Sequence, residues 1–148
     1  MGNRQEQYMT FSEKETFDLG VRLAESLKSG GSLSLEGDLG AGKTALAKGI
    51  ASGLGITDII TSPTFTIVNT YEGEITLNHF DVYRINDPEE LYEIGWDEYF
   101  SKDTVCIVEW GDRVLRLLPP DVIRIRITRD EEDSQKRRII VERQAEIQ

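Results

Sequence analysis

The eight residues Gly37-Asp38-Leu39-Gly40-Ala41-Gly42-Lys43-Thr44 constrain this chain more than any other stretch. They match the spacing Gly, four residues, Gly-Lys-Thr, and they lie between segments of different periodicity. Upstream, Ser32 to Glu36 alternates Leu33 and Leu35 as a short strand would; downstream, Thr44 to Leu54 carries a helical pattern that stops at Gly55. Strand, glycine-rich loop and helix is the order that phosphate binding requires. Glycines let the backbone wrap close to an anion with its amides turned inward, and the helix presents its positive end to the same anion. The expected ligands are therefore ATP and Mg2+. Gly37, Asp38, Leu39, Gly40, Ala41, Gly42 and Ala45 supply the cradle, Lys43 reaches the terminal phosphates, and the Thr44 hydroxyl ligates magnesium.

With 148 residues and 39% hydrophobic content the chain can bury one core, which predicts a single domain over 1–148 with its core at about 8–143. No apolar stretch approaches the roughly 20 residues that cross a bilayer, and no signal segment opens the sequence, so a cytoplasmic protein without a membrane contact is expected. Met1-Gly2 suggests myristoylation, but Glu6 stands where that motif requires Ser or Thr. The single cysteine, Cys106, rules out an internal disulfide. A net charge of -10 argues against tight nonspecific binding of DNA or RNA, which needs clustered Lys and Arg. The charge is uneven: from Glu72 to Asp112 there are twelve acidic residues against Arg84 and Lys102. This is either a solvated face or a surface for a partner.

Ser12-Glu13-Lys14-Glu15 reads as a capping box opening a helix, with Phe17, Val21, Ala24 and Leu27 or Lys28 at helical spacing up to Gly30-Gly31. Phe65 to Tyr71 and Ile75 to Tyr83 read as a hairpin about Glu72-Gly73-Glu74. Asp87-Pro88-Glu89-Glu90 begins a short acidic helix, Thr104 to Val108 is an apolar strand, and Arg113 to Leu118 is a short helix before Pro119-Pro120. Strands at Val122 to Thr128 and Arg137 to Arg143 flank a polar turn. The sum is an α/β P-loop NTPase fold with a mixed, mainly parallel sheet flanked by helices.

A magnesium site needs an acid at the end of another strand. Glu109 ends Val105-Cys106-Ile107-Val108 in the manner of a second P-loop motif and is assigned to the metal. Asp81 is placed near the attacking water or the metal's outer shell, with a helix cap as the alternative. Ser62-Pro63-Thr64-Phe65 lies where related proteins keep a segment that senses the terminal phosphate. Thr64 either plays that catalytic part or joins Ser62 in capping a turn. His79 shares a strand face with Asp81, and reads as a structural residue more readily than a functional one. Trp110 either shields the site, contacts a partner or packs in the core.

Taken together, Gly37 to Thr44, Ser62-Pro63-Thr64-Phe65, His79-Phe80-Asp81-Val82-Tyr83-Arg84, Asp87-Pro88-Glu89-Glu90 and Val108-Glu109-Trp110 closely resemble the bacterial TsaE family, over nearly all of the chain between Phe11 and Arg143. The resemblance implies an ATPase needed for N6-threonylcarbamoyladenosine in tRNA. In that family a TsaD-TsaB pair makes the transfer, and TsaE binds the pair and hydrolyses ATP between rounds. Adenine contacts are expected near Thr10 and Phe11, or near Arg129 in the last turn. Two other readings are a small-molecule kinase and a noncatalytic nucleotide-gated binding module. The kinase is disfavoured because Arg84 is the sole arginine between Phe65 and Trp110. A GTPase is disfavoured because Asn-Lys-x-Asp is missing.

Overall fold

The computed structural model describes residues 4–38, 40–63 and 66–143. In chain order these form β1 (Arg4–Thr10), α1 (Glu13–Leu23), β2 (Gly31–Glu36), α2 (Lys43–Gly53), β3 (Val68–Tyr71), β4 (Thr76–Asp81), β5 (Thr104–Glu109), β6 (Ile123–Arg129) and β7 (Arg137–Arg143). Tight 3-10 helices at Ala24–Leu27, Pro88–Ile94, Trp96–Tyr99 and Gly111–Leu117 complete the chain. Among the described residues the seven strands make one sheet in the order β1-β7-β6-β2-β5-β4-β3. Strands β6, β2, β5 and β4 are parallel, whereas β3, β7 and β1 each pair antiparallel with a neighbour. The expected mixed α/β sheet is present, with a parallel centre and antiparallel edges.

Burial on both faces explains why β5 is a nearly unbroken apolar run. Leu33, Leu35, Leu77, Val105 and Ile107 face the layer made by α1 and α2. Phe80, Cys106 and Val108 face the opposite layer, where Trp96 lies edge-on to Phe80 at 4.8 Å and donates from its indole nitrogen to Leu117 O at 3.0 Å. The alternation puts His79, Asp81 and Glu109 on the α2 side, because residues two apart on a strand share a face. Among the described residues no helix is long and apolar enough to cross a membrane.

Four differences from the sequence reading have local causes. Strand β1 was not expected, since Arg4–Thr10 lacks an apolar alternation; it is an edge strand held by its backbone ladder to β7 and by Arg143 Nε on Glu6 Oε1 at 3.2 Å. The strand expected from Phe65 begins only at Val68, and Phe65 itself lies outside the described residues. Pro63 O accepts from Ile67 N at 2.8 Å, and Ile67 has φ 70°, so the chain turns before it joins the sheet. At the start of α1, Ser12 Oγ accepts from Glu15 N, but the Glu15 carboxylate takes Phe11 N instead of Ser12 N.

The buried face of α1 is the fourth difference. Thr16, Leu19, Gly20 and Leu23 are buried, whereas Phe17 and Val21 are only half-buried. The helices meet backbone to backbone: a Cβ at Gly49 of α2 would lie 2.0 Å from Phe17 O, and one at Gly20 would lie 2.5 Å from Leu46 O. At that spacing Phe17 meets α2 through its carbonyl, and the residue stays half-buried. Gly49→Ala should therefore lower stability by about 1–3 kcal/mol in urea unfolding, against less than about 0.5 kcal/mol for Ser52→Ala on the exposed face of the same helix. Burial also pushes the Cys106 thiol up from its ordinary 9.0 to about 11. At pH 8 alkylation by iodoacetamide should follow unfolding and not precede it. The thiol's preference for the interior should be complete below pH 9.0 and lost as the pH rises toward 11.

Candidate functional site

Parallel pairing brings the ends of three strands together. Leu35 of β2 is level with Glu109 of β5, and Glu109 is level with Asp81 of β4, so the loop after β2 leaves the sheet beside both acids. Open parallel sheets bind ligands at this carboxyl edge. A cleft of about 400 Å³ lies here. The start of α1 contributes Ser12, Glu13 and Thr16; the loop and α2 contribute Gly40, Gly42, Lys43, Thr44 and Ala45. Asp81, Glu109, Trp110, Ser62, Gln135 and Arg137 close the rest.

The base of the loop is anchored before it turns. Glu36 is buried and forms a two-pronged pair with Arg124 of β6, Nε to Oε2 at 2.8 Å and Nη2 to Oε1 at 2.9 Å, while Ser34 Oγ donates to the same carboxylate at 2.9 Å. Gly37 follows at φ 152°, where a Cβ would sit 2.5 Å from Ile127 O; only glycine lets the chain pass this close to β6. Gly42 caps α2 in a left-handed conformation. Gly40, Gly42, Lys43, Thr44 and Ala45 line the cleft, Gly37, Asp38 and Ala41 line a neighbouring hollow, and Leu39 lies outside the described residues.

Lys43 is buried and folds back on its own loop, donating to Gly37 O at 2.5 Å and Asp38 O at 3.1 Å. Its ammonium lies 4.0 Å from the centre of the Trp110 ring. Burial pushes its pKa below the ordinary value, and attraction to Glu109, then Asp81 and Asp38, opposes that shift. The carboxylates differ in their bonds. Asp81 accepts from Tyr83 N at 2.9 Å and from Ser62 Oγ at 3.4 Å, so the Ser62 segment does reach this acid. Glu109 Oε2 lies 2.5 Å from His79 Nε2, with both side chains buried, and His79 Nδ1 has no hydrogen-bond partner among the described residues. Thr64 lies outside the described residues.

Trp110 lines the cleft and takes the left-handed conformation with φ 64°. That conformation costs a non-glycine residue energy and is held by Trp110 N on Leu35 O at 2.8 Å and by the Tyr83 ring at 4.7 Å. Among the candidates for the base, Thr10 is buried with its hydroxyl 2.7 Å from that of Thr16, which does line the cleft. Phe11 is exposed, with Lys136 Nζ 5.9 Å from its ring centre. Arg129 lines a second hollow with Gly37, Asp38, Ala41 and Trp110. Sequence reasoning did not single out Arg137. Its guanidinium donates to Ala41 O at 2.8 Å from Nε, and to Ser134 O at 2.6 Å from Nη1. No local sequence signal separates this arginine from its neighbours, because its role depends on a contact 96 residues away.

Among the described residues no group of three or more His, Cys, Asp or Glu could hold a metal by itself. Magnesium in nucleotide sites needs fewer, since it keeps waters and takes phosphate oxygens. One hydroxyl from Thr44 and a carboxylate from Glu109 or Asp81, all lining one cleft, are a donor set of that kind.

Comparisons with known proteins bear on the family and the fold. The family model for TsaE, described as threonylcarbamoyl adenosine biosynthesis protein TsaE, matches residues 10–139. The tRNA threonylcarbamoyladenosine biosynthesis protein TsaE of Bacillus subtilis is 44% identical over 134 residues, covering 90% of this chain and 84% of the relative. The protein of the same name from Treponema pallidum is 43% identical over 114 residues, covering 77% of this chain and 84% of the relative. A crystal structure of Bacillus subtilis YdiB superposes with a TM-score of 0.82 at 38% identity, covering 98% of this chain and 89% of that one. With its phosphate-loop geometry on a mixed α/β sheet and this match over most of its length, the chain belongs to the TsaE family of proteins that take part in tRNA threonylcarbamoyladenosine biosynthesis.

Proposed function

We propose that this protein is a magnesium-dependent ATPase that binds a TsaD-TsaB-type pair and hydrolyses ATP to support that pair's turnover. The observation that carries the reading is the burial of Lys43 at the head of α2, in one cleft with the in-register carboxylates of Asp81 and Glu109. In this reading Lys43 exchanges Gly37 O and Asp38 O for the terminal phosphates, and the loop amides and the start of α2 receive the remaining phosphate oxygens. Glu109 and Thr44 hold magnesium, and Asp81 orients the attacking water. Magnesium, when bound, supplies the positive charge that offsets charge on the phosphate oxygens. Thr64, two positions along the chain from the Ser62 that reaches Asp81, senses the terminal phosphate in this scheme.

The pair is engaged through protein surface and not through tRNA. A net charge of -10 opposes phosphate contacts, and Glu89, Glu90 and Glu93 are exposed around the 3-10 helix Pro88–Ile94. A cytoplasmic setting accords with the single, buried, reduced Cys106.

Lys43→Ala should weaken ATP by roughly ten- to 150-fold, the loss of a charge-assisted contact of about 1.5–3 kcal/mol, while adenosine is affected far less. Calorimetry showing unchanged ATP binding by a folded Lys43→Ala protein would remove the loop from the scheme. Glu109→Gln should keep the fold and lose magnesium-dependent phosphate release, because an amide fills the space but cannot balance the metal's charge. If Glu109→Gln turns over at the wild-type rate and Asp81→Asn does not, the two acids exchange roles. Reversing charge at Glu89, Glu90 or Glu93 should weaken the complex with a purified TsaD-TsaB pair and spare nucleotide binding. Equal complex formation by wild type and a triple reversal, measured with and without ATP, would move the partner surface elsewhere.

A further inference from the structure

The guanidinium of Arg137 divides the phosphate loop into two halves with different partners. In the first half the Gly37 and Asp38 carbonyls accept from Lys43, a donor that the proposed function requires to leave. In the second half the Ala41 carbonyl accepts from Arg137 Nε at 2.8 Å, and Gly40 O lies 3.5 Å from Nη2. The same guanidinium donates through Nη1 to Ser134 O at 2.6 Å and Lys136 O at 3.1 Å, in the turn between β6 and β7. Asp130 holds that turn together, accepting from Glu132 N at 3.1 Å and Asp133 N at 2.8 Å, while Asp130 N donates to Lys136 O at 3.1 Å. These backbone bonds keep the Asp130 carboxyl below its ordinary value. Arg137 therefore ties an ordered turn to a glycine-rich loop.

We propose that Arg137 is a positioning residue for phosphate binding: it fixes the half of the loop that leads into α2. The inference rests on the reading of this loop as the phosphate site. A peptide unit is planar and trans, so holding the Ala41 carbonyl fixes the direction of the Gly42 N–H on the other side of that plane. Gly42 is the left-handed cap of α2, and its own carbonyl accepts from Leu46 N at 3.1 Å. Fixing the peptide before this cap sets where the first amides of α2 point, those of Lys43 and Thr44 among them. Glycine on both sides of Ala41 gives this backbone wide conformational freedom, and besides Arg137 it is held by Ala41 N on Asp38 O at 3.1 Å. A planar fork with several donors can bridge two segments in this way, whereas a lysine ammonium, a point charge on a flexible stem, cannot hold the same geometry.

The test compares Arg137→Gln and Arg137→Lys with wild type and with Lys43→Ala. ATP and inorganic tripolyphosphate binding are measured by calorimetry at a temperature where all four proteins are folded, and amide hydrogen exchange is followed by NMR. Both Arg137 variants should lose tenfold or more in affinity for ATP and for tripolyphosphate. Exchange at Ala41 to Thr44 should accelerate in both, while Ile139 and Val141 in the core of β7 keep their protection. Wild-type affinity in Arg137→Lys would show that charge alone suffices and would overturn the positioning role. Exchange that accelerates equally along β7, with unchanged affinity of the folded protein, would reduce Arg137 to a prop for the hairpin and would also overturn it. If Lys43→Ala binds tripolyphosphate as wild type does, the loop reading itself fails; a loss in Lys43→Ala with none in either Arg137 variant sinks this inference alone.

Discussion

Parallel pairing of β2 with β5, and of β5 with β4, is the constraint on which the site depends. Hydrogen-bonded strands have a register, and a slip of one residue would send Glu109 or Asp81 to the opposite face of the sheet. The register is protected because these strands are buried on both faces in their central part, with α1 and α2 on one side and the Trp96–Phe80 layer on the other, and the polar side chains there, Ser34, Asn78 and His79, are buried with hydrogen-bond partners. The same packing that excludes water from the core ends abruptly at Leu35, Glu109 and Asp81. Polar chemistry begins there, and the loop leaves the sheet at the same level.

That boundary is also an electrostatic one. Lys43 loses hydration by being buried, which disfavours its charge, and the surrounding acids return part of what desolvation takes. Glu109 is in turn held by His79, and Asp81 by Ser62 and the Tyr83 amide. The two carboxylates at the strand ends thus have their orientation set by a neighbour from a different element. Glu36 and Arg124 do the same one residue before the loop, on the far side of β2. An array of this kind is rigid, because moving one member leaves another buried without its partner.

Much of this was legible in the sequence, because it rests on local signals. The Gly37–Thr44 spacing, the alternation in Ser32–Glu36 and the apolar run ending at Glu109 each encode an element and its end, and pairing those elements in parallel produces the cleft. What was not legible depends on contacts across the sheet. The hydrogen bond from His79 to Glu109 joins residues 30 apart, and that from Arg137 to Ala41 joins residues 96 apart. The spacing marks His79 as a structural residue on the face of Asp81 but does not name its partner, and nothing local separates Arg137 from a solvated arginine. The edge strand β1 escaped for another reason: it has one partner and a polar sequence, so its pairing leaves no periodic signature. Helical spacing marks Phe17 and Val21 in α1 but not the side of the helix that touches α2, because the closest contact there is made by glycines.

The glycine contact between α1 and α2 has a mechanical consequence. With the two backbones touching at Gly20 and Gly49, no layer of side chains lies between these helices to shear or repack. Ser12, Glu13 and Thr16 at the start of one helix and Lys43, Thr44 and Ala45 at the start of the other therefore behave as the fixed jaw of a vice, at a set separation whatever lies between them. The opposite side of the cleft, made of the Ser62 segment, the left-handed Trp110 and the turn that Arg137 fastens, is held instead by hydrogen bonds and a ring contact.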